Sequence, residues 1–316
     1  MEHLLIADDL HKQYGEKMAL SNFDLKVPRG SIFGLLGPNG AGKTTFIRLV
    51  NQIQQPDSGR LIFDGEPLAL KHIAQIGYLP EERGLYKNMQ VEEQILYLAR
   101  LKGMKKAKVK NKLQQWFDRL EIGHWRHKKL GSLSKGMAQK IQFIVMVLHT
   151  PKLLILDEPF SGFDPINAQL ILDQILELRK EGATILLSTH HMASVEVLCD
   201  HIVLINQSRK ILDGPLTSIK EQFKENCYQI RLNIHNQTLW EAFSAQYPLS
   251  KITKVGALLD FEIHFEKKSS TSVLKQLIEI GEILSFGERI PTLDDIFIRS
   301  VQKNHHDAKS MADHST

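Results

Sequence analysis

At 316 residues, with 42% hydrophobic and 24% charged residues, the chain has an ordinary globular composition and length for about two domains. A formal charge of +4 is too small for this length to point to nucleic acid, and the two cysteines, Cys199 and Cys227, show no metal spacing and fit a reducing compartment as small buried hydrophobes. The first ten residues carry Glu2, Asp8 and Asp9 rather than the basic-then-apolar start of a secretory leader, and no apolar run approaches the roughly 20 residues that span a bilayer.

In chain order, Leu4 to Ala7 and Phe23 to Val27 read as strands, with Tyr14-Gly15 between them. Tyr14 has two readings, a ring stacked on a nucleotide base or a half-buried tyrosine. Ile32 to Leu36 reads as a buried strand and Thr44 to Asn51 as a helix. Between them stands Gly37-Pro38-Asn39-Gly40-Ala41-Gly42-Lys43-Thr44, a G-x-x-x-x-G-K-T run in strand–loop–helix context. Its glycines free the backbone to curl so that successive N–H groups point at an anion, and the helix start adds its positive end. Lys43 then sets a cation on the outer phosphates, and the Thr44 hydroxyl can ligate Mg²⁺.

Arg60 to Asp64 and Ile76 to Leu79 read as further strands, and from Val91 to Thr150 the periodicity is helical. The lysines Lys102, Lys105, Lys106, Lys108, Lys110 and Lys112 form either a basic contact patch or a solvated helix face. Leu153 to Leu156 is a buried strand that ends in Asp157-Glu158. Such a strand delivers carboxylates to a sheet edge beside the phosphate loop. Asp157 can hold Mg²⁺, and Glu158 can act as general base on an attacking water. Asp164 and Pro165 open a helix that Gly182 stops, and Thr184 to Leu187 is a strand that ends in Ser188-Thr189-His190-His191. A histidine there can donate to a γ-phosphate. Beyond a short helix from Pro215 to Phe223, residues 225–302 read strand, helix, strand, strand, helix, strand, which is the order of a ferredoxin-like domain. A last helix, Leu293 to Val301, follows, and residues 303–316 read as a disordered tail, whose His305, His306, Asp307 and His314 either chelate metal or are merely solvated.

The order of these features resembles the ATP-binding subunits of ABC transporters. The likeness covers residues 1–222, with a helical subdomain at about 88–150, and it implies a P-loop NTPase α/β fold followed by the small accessory domain. Tyr14 falls at the adenine-stacking position, Gly37 to Thr44 with Thr45 at Walker A, Leu153 to Glu158 at Walker B, Ser161 to Asp164 at the D-loop and His190 at the switch histidine. Leu133-Ser134-Lys135-Gly136-Met137 stands where the family has its signature. The resemblance implies two subunits, here two identical chains, closing head to tail on ATP and Mg²⁺. Ser134 and the Gly136 N–H would then reach the γ-phosphate of the partner's site. Hydrolysis would drive integral membrane permease subunits, with this chain on the cytoplasmic face and no part for nucleic acid. Three positions depart from the family pattern. Glu81 replaces a glutamine and becomes a third candidate metal ligand, and Lys135 and Met137 alter the signature. The run Pro80 to Tyr86, with Leu133 to Gly136 and the ending Pro291 to Phe297, resembles the sodium-efflux-type exporter branch, to which these departures could belong. Two other outcomes stand beside the transporter reading: a soluble ABC ATPase, and an ATP-gated dimerisation module with weak hydrolysis.

Overall fold

The structure is a computed structural model and describes residues 2–81, 84–265 and 270–302. Glu82, Arg83 and the proposed tail 303–316 lie outside the described residues. The chain divides into two compact units, one running to Leu216 and taking in the chain from Phe297, the other Thr217–Ile296.

In the first unit, β1 (His3–Tyr14) and β2 (Lys17–Pro28) form a long antiparallel hairpin, and β3 (Ile32–Leu36) leads into α1 (Lys43–Val50). Next come β4 (Ser58–Phe63), β5 (Glu66–Pro67) and β6 (Ile76–Leu79). Three helices follow, α2 (Val91–Leu101), α3 (Lys106–Arg119) and α4 (Lys135–Val147). The chain then returns through β7 (Leu153–Asp157), α5 (Pro165–Lys180), β8 (Thr184–Ser188), α6 (Met192–Leu198), β9 (His201–Asn206) and β10 (Arg209–Pro215), after which α7 (Leu216–Gln222) leads into the second unit. One sheet has the order β2-β1-β4-β5 and the other β10-β9-β3-β8-β7-β6. In the second, β9, β3, β8, β7 and β6 are parallel and β10 is an antiparallel edge.

The parallel strands read as unbroken apolar runs because both their faces are covered. Every residue of β3, β7 and β8 is buried. The core joins the two sheets around α1, where Phe46 meets Phe23 at a ring separation of 5.1 Å. Caps fix the helix starts. Asp164 accepts from the Asn167 N–H at 3.0 Å with Pro165 in the first turn of α5, and Ser134 accepts from the Met137 N–H at 3.3 Å on α4.

The second unit contains β11 (Cys227–Ile234), α8 (Gln237–Gln246), β12 (Leu249–Val255), β13 (Leu258–His264), α9 (Ser270–Ile280) and β14 (Gly281–Glu288). Its sheet order is β12-β13-β11-β14, antiparallel throughout, which is the ferredoxin-like topology. Trp240, Phe243, Phe261 and Val273 lie in its core. A closing helix occupies 293–302.

Candidate nucleotide site

β3, β8, β7 and β6 are neighbours and parallel, so their carboxyl ends share one edge of the sheet. Each end delivers a different piece of chemistry. β3 runs into the glycine loop, β8 into Thr189-His190, β7 into Glu158 and β6 into Pro80-Glu81. Open parallel sheets bind ligands at this edge. A pocket of about 450 Å³ lies there, lined by Tyr14, Lys17, Gly37, Pro38, Asn39, Gly40, Gly42, Lys43, Thr44, Thr45, Glu81, Asp157, Glu158 and His190, among others.

The loop needs its glycines for shape. Gly37 has φ 148° and a Cβ there would lie 2.2 Å from the Ile205 carbonyl oxygen; at Gly42, φ is 122° and a Cβ would lie 2.5 Å from the Ala19 carbonyl oxygen. Gly42 is also the N-cap of α1 and offers no side-chain cap, so first-turn N–H groups of the helix are left for an anion. Lys43 folds back across the curl and donates to the carbonyls of Gly37 at 2.7 Å and Pro38 at 3.1 Å. Burial lowers the pKa of its ammonium, and Glu158, Asp157 and Glu81 pull the other way. Ala41, expected among the nucleotide contacts, does not line the pocket: it is buried, and its carbonyl accepts from the Ser208 N–H at 3.2 Å. Tyr14 lines the pocket with a half-exposed ring, its hydroxyl donating to Gln54 and the Lys12 ammonium 5.6 Å from its centroid.

The two acids divide the work. Asp157 is buried, which raises its carboxyl pKa; Glu81 and Glu158 add to the rise and Lys43 opposes it. Glu158 sits in the left-handed region at φ 49°, its N–H donating to the Ser188 carbonyl at 2.8 Å. One carboxylate oxygen accepts from the His190 N–H at 2.9 Å and faces the His190 Nδ1 at 2.7 Å. The other accepts from the Thr189 hydroxyl at 3.0 Å. The Glu158 side chain is 12% exposed and that of His190 75%, so a largely buried carboxylate is gripped by an exposed ring. The Thr44 hydroxyl and the carboxylates of Asp157 and Glu81 line this one pocket, an all-oxygen set suited to a hard divalent cation.

Thr189 and Lys17 do not stand out in the sequence. Thr189 follows a buried strand and Lys17 a turn, places where hydroxyls and lysines are commonplace. Their role emerges when β7 brings Glu158 opposite Thr189, and when the hairpin lays the Lys17 ammonium 4.0 Å from the position a Gly40 Cβ would take.

Residues 20–161 match the family described as ABC transporter, and residues 214–301 match the C-terminal domain of DrrA1-3-like ATP-binding proteins. The chain is 38% identical over 299 residues to the uncharacterized ABC transporter ATP-binding protein YhaQ of Bacillus subtilis (strain 168), covering 94% of this chain and 98% of that one. The chain belongs to the ABC transporter ATP-binding proteins. Members of this family bind ATP and hydrolyse it to power transport. Also similar is the daunorubicin resistance ATP-binding protein DrrA3 of Streptomyces coeruleorubidus, 28% identical over 93% of this chain and 94% of that one. Among solved structures, an ATP binding subunit of an ABC transporter superposes with a TM-score of 0.66 at 33% identity, over 70% of this chain and 93% of that one. The fold is accordingly that of a P-loop NTPase.

In this ABC ATP-binding protein Ser134 and Gly136 stand apart from the pocket, at the start of α4. That helix is tied to the loop after β7. Gln139 donates to the Pro159 carbonyl at 3.2 Å, and a Cβ on Gly136 would sit 3.4 Å from the Phe163 ring. The stem of Lys135 crosses Gly162, with its Cε 2.4 Å from the position a Cβ there would occupy. Lys135 therefore packs on the loop between Walker B and α5.

Proposed function

We propose that this chain is the ATP-hydrolysing subunit of an exporter, that Glu158 is its general base, and that two copies close on two ATP molecules. The observation that carries the reading is the placement of the Glu158 carboxylate, held by Thr189 and His190, in the same pocket as the curled loop and Lys43. A γ-phosphate laid on the loop offers Lys43 a better acceptor than the two carbonyls it now holds. Thr45 and the N–H groups of Gly40 and of Gly42 to Thr44 cradle the phosphates, and Tyr14 presents its ring to the base. His190 can turn from Glu158 to the γ-phosphate. Thr44, Asp157 and Glu81 would hold Mg²⁺, which neutralises charge on the outer phosphates. Ser134 and Gly136 would serve the partner's nucleotide from the start of α4, and their distance from this chain's own pocket supports that division.

Among the described residues no helix is long and apolar enough to cross a membrane. Membership of the ABC transporter ATP-binding proteins supports separate permease subunits as partners, with this chain on their cytoplasmic face. The DrrA-like C-terminal match and the drug-resistance relative support export. Placement in the sodium-efflux-type branch is a finer proposal, resting on the runs Pro80 to Tyr86, Leu133 to Gly136 and Pro291 to Phe297.

The test is Glu158→Gln. It keeps shape and removes the base, so phosphate release should fall at least ~100-fold while ATP still binds. ATP with Mg²⁺ should then hold the variant as a dimer in sedimentation. Unchanged turnover, or a monomer under those conditions, overturns the reading.

A further inference from the structure

Outside the nucleotide pocket, the second unit gathers a thiol, an imidazole and a carboxylate at one point. β11 and β13 pair antiparallel, with Cys227 opposite His264 and Gln229 opposite Glu262, and no register shift intervenes. Residues two apart on a strand share a face. Cys227, Glu262 and His264 therefore project from the same face, opposite the one that sends Ile230, Leu232, Phe261 and Ile263 into the core. One ligand atom from each of the three lies within 4.8 Å of the other two. Cys227 is 2% exposed and Glu262 5%, while His264 is half-buried and forms the accessible side.

The carboxylate is already oriented. Its Oε1 is held by the Lys251 ammonium at 3.1 Å and the Arg289 guanidinium at 3.4 Å. Its Oε2 is turned the other way, 3.9 Å from the Cys227 sulfur. Two cations thus hold one oxygen of Glu262 and leave the second facing the thiol. Ligating carboxylates in metal centres are held by outer contacts in this manner.

We propose that Cys227, Glu262 and His264 form a binding site for a zinc-type divalent metal ion in the accessory domain. A thiolate, an imidazole and a carboxylate are the three ligand types zinc takes, and three protein ligands leave a fourth, water-filled position on the His264 side. The sulfur and nitrogen donors disfavour Mg²⁺ and Ca²⁺. On binding, the Cys227 S–H bond breaks, a sulfur–metal bond forms and the proton leaves to water, with no change of oxidation state. Thiolate and carboxylate together match the charge of the ion, so Lys251 and Arg289 can stay on Oε1. The sequence hides the set because Cys227 and Glu262 are 35 residues apart and meet through strand pairing alone.

The test titrates the nucleotide-free 316-residue chain with Co²⁺, followed by Zn²⁺. Expected is one Co²⁺ per chain with a thiolate-to-cobalt charge-transfer band, bleached by Zn²⁺. Cys227→Ser should abolish the band. Lys251→Ala, which touches no metal, should weaken Co²⁺ binding about tenfold, and His264→Ala by at least that factor. Asp157→Asn in the nucleotide pocket should leave the band unchanged. Circular dichroism checks that each variant is folded, and His264→Ala and Lys251→Ala decide the matter if Cys227→Ser does not fold. No thiolate band in the folded chain overturns the proposal. So does a band that persists in Cys227→Ser, which would assign it to Cys199, or Co²⁺ affinity unaffected by His264→Ala and Lys251→Ala, which would assign it to the histidines of 303–316.

Discussion

Glu158 takes its orientation from within the chain. Of the groups that hold its carboxylate, His190 is exposed and free to turn, whereas Thr189 is buried at 1% exposure and donates from the end of β8. In the proposed reaction Thr189 is a positioning residue: it would keep one carboxylate oxygen fixed while His190 turned to the γ-phosphate. A hydrogen bond to a charged group is worth about 1.5–3 kcal/mol, so Thr189→Val should lower kcat by roughly 10–100-fold. The KM for ATP should stay within about twofold, because Thr189 touches no phosphate in this reading. Thr189→Ser keeps the donor and should restore turnover. A steady-state comparison of the three proteins checks this, and equal loss in the valine and serine variants would mean packing rather than the hydroxyl matters. At this scale legibility follows chemistry. Lys43 stands out in its glycine loop, Asp157 and Glu158 gain meaning only from that loop upstream, since an acidic strand end by itself is commonplace, and the three line one pocket. A threonine at a strand end has many uses.

Elements are legible where one physical cause sets them. The helix starting at Asp164 and Pro165 and stopped by Gly182 is found as α5, and residues 225–302 follow the expected order of strands and helices. β1 and β2 are not read to their full length. Leu4 to Ala7 is an unbroken apolar run and Phe23 to Val27 alternates cleanly, but each strand runs 12 residues. Asp9 at φ 49° and Asn22 at φ 47° interrupt the register and break the period-two pattern that reveals a strand. A similar long-range cause governs His149, just past α4. Its Nε2 approaches the Ile76 carbonyl at 3.3 Å, Nδ1 is buried without a partner, and Lys102 donates to the same carbonyl at 3.1 Å. Burial, then the nearby Lys102 charge, lowers its pKa from 6.5 to about 4. The sign follows directly. Above pH 6.5 the imidazole is neutral in folded and unfolded chains alike, and its contribution to stability is complete. As the pH falls from 6.5 toward about 4, the unfolded chain takes up a proton that the folded one refuses, so stability is lost across that window. With partial exposure allowed for, the loss is on the order of 1–2 kcal/mol. Urea unfolding at pH 7 and pH 4.5 should show His149→Met losing less stability than the parent between the two conditions. An identical loss would place the acid sensitivity elsewhere.

On the scale of the whole molecule, the question is how events at one sheet edge reach a membrane partner. A second cavity of about 640 Å³ opens between β6 and the α2–α4 helices, with Ile73, Leu79, Leu98, Leu101 and Met146 in its walls. Leu101 is 67% exposed, and Leu70 and Ile53 beside it are 76% and 61% exposed. Clustered apolar side chains of this kind mark an interaction surface. Lys102, which also lines the walls, does not interrupt that surface, since its ammonium is turned onto the carbonyls of Ile73 at 2.8 Å and Ile76 at 3.1 Å. The floor of the groove is tied to the nucleotide edge through β6, which carries Leu79 in the groove and Glu81, two residues on, in the ATP pocket. A permease segment seated here would therefore press on the strand whose end faces the nucleotide. Leu101→Glu tests this without touching the pocket. Seating a carboxylate against an apolar partner leaves it desolvated and unpaired, at a cost of several kcal/mol. In cells expressing the permease, the membrane-bound fraction of the variant should drop at least ~10-fold, since 1.4 kcal/mol already corresponds to that factor. ATP binding and turnover of the isolated variant should stay within about twofold of the parent. A variant that still follows the permease into the membrane fraction would remove this groove from the coupling route and leave the surface of the accessory domain as the place to look.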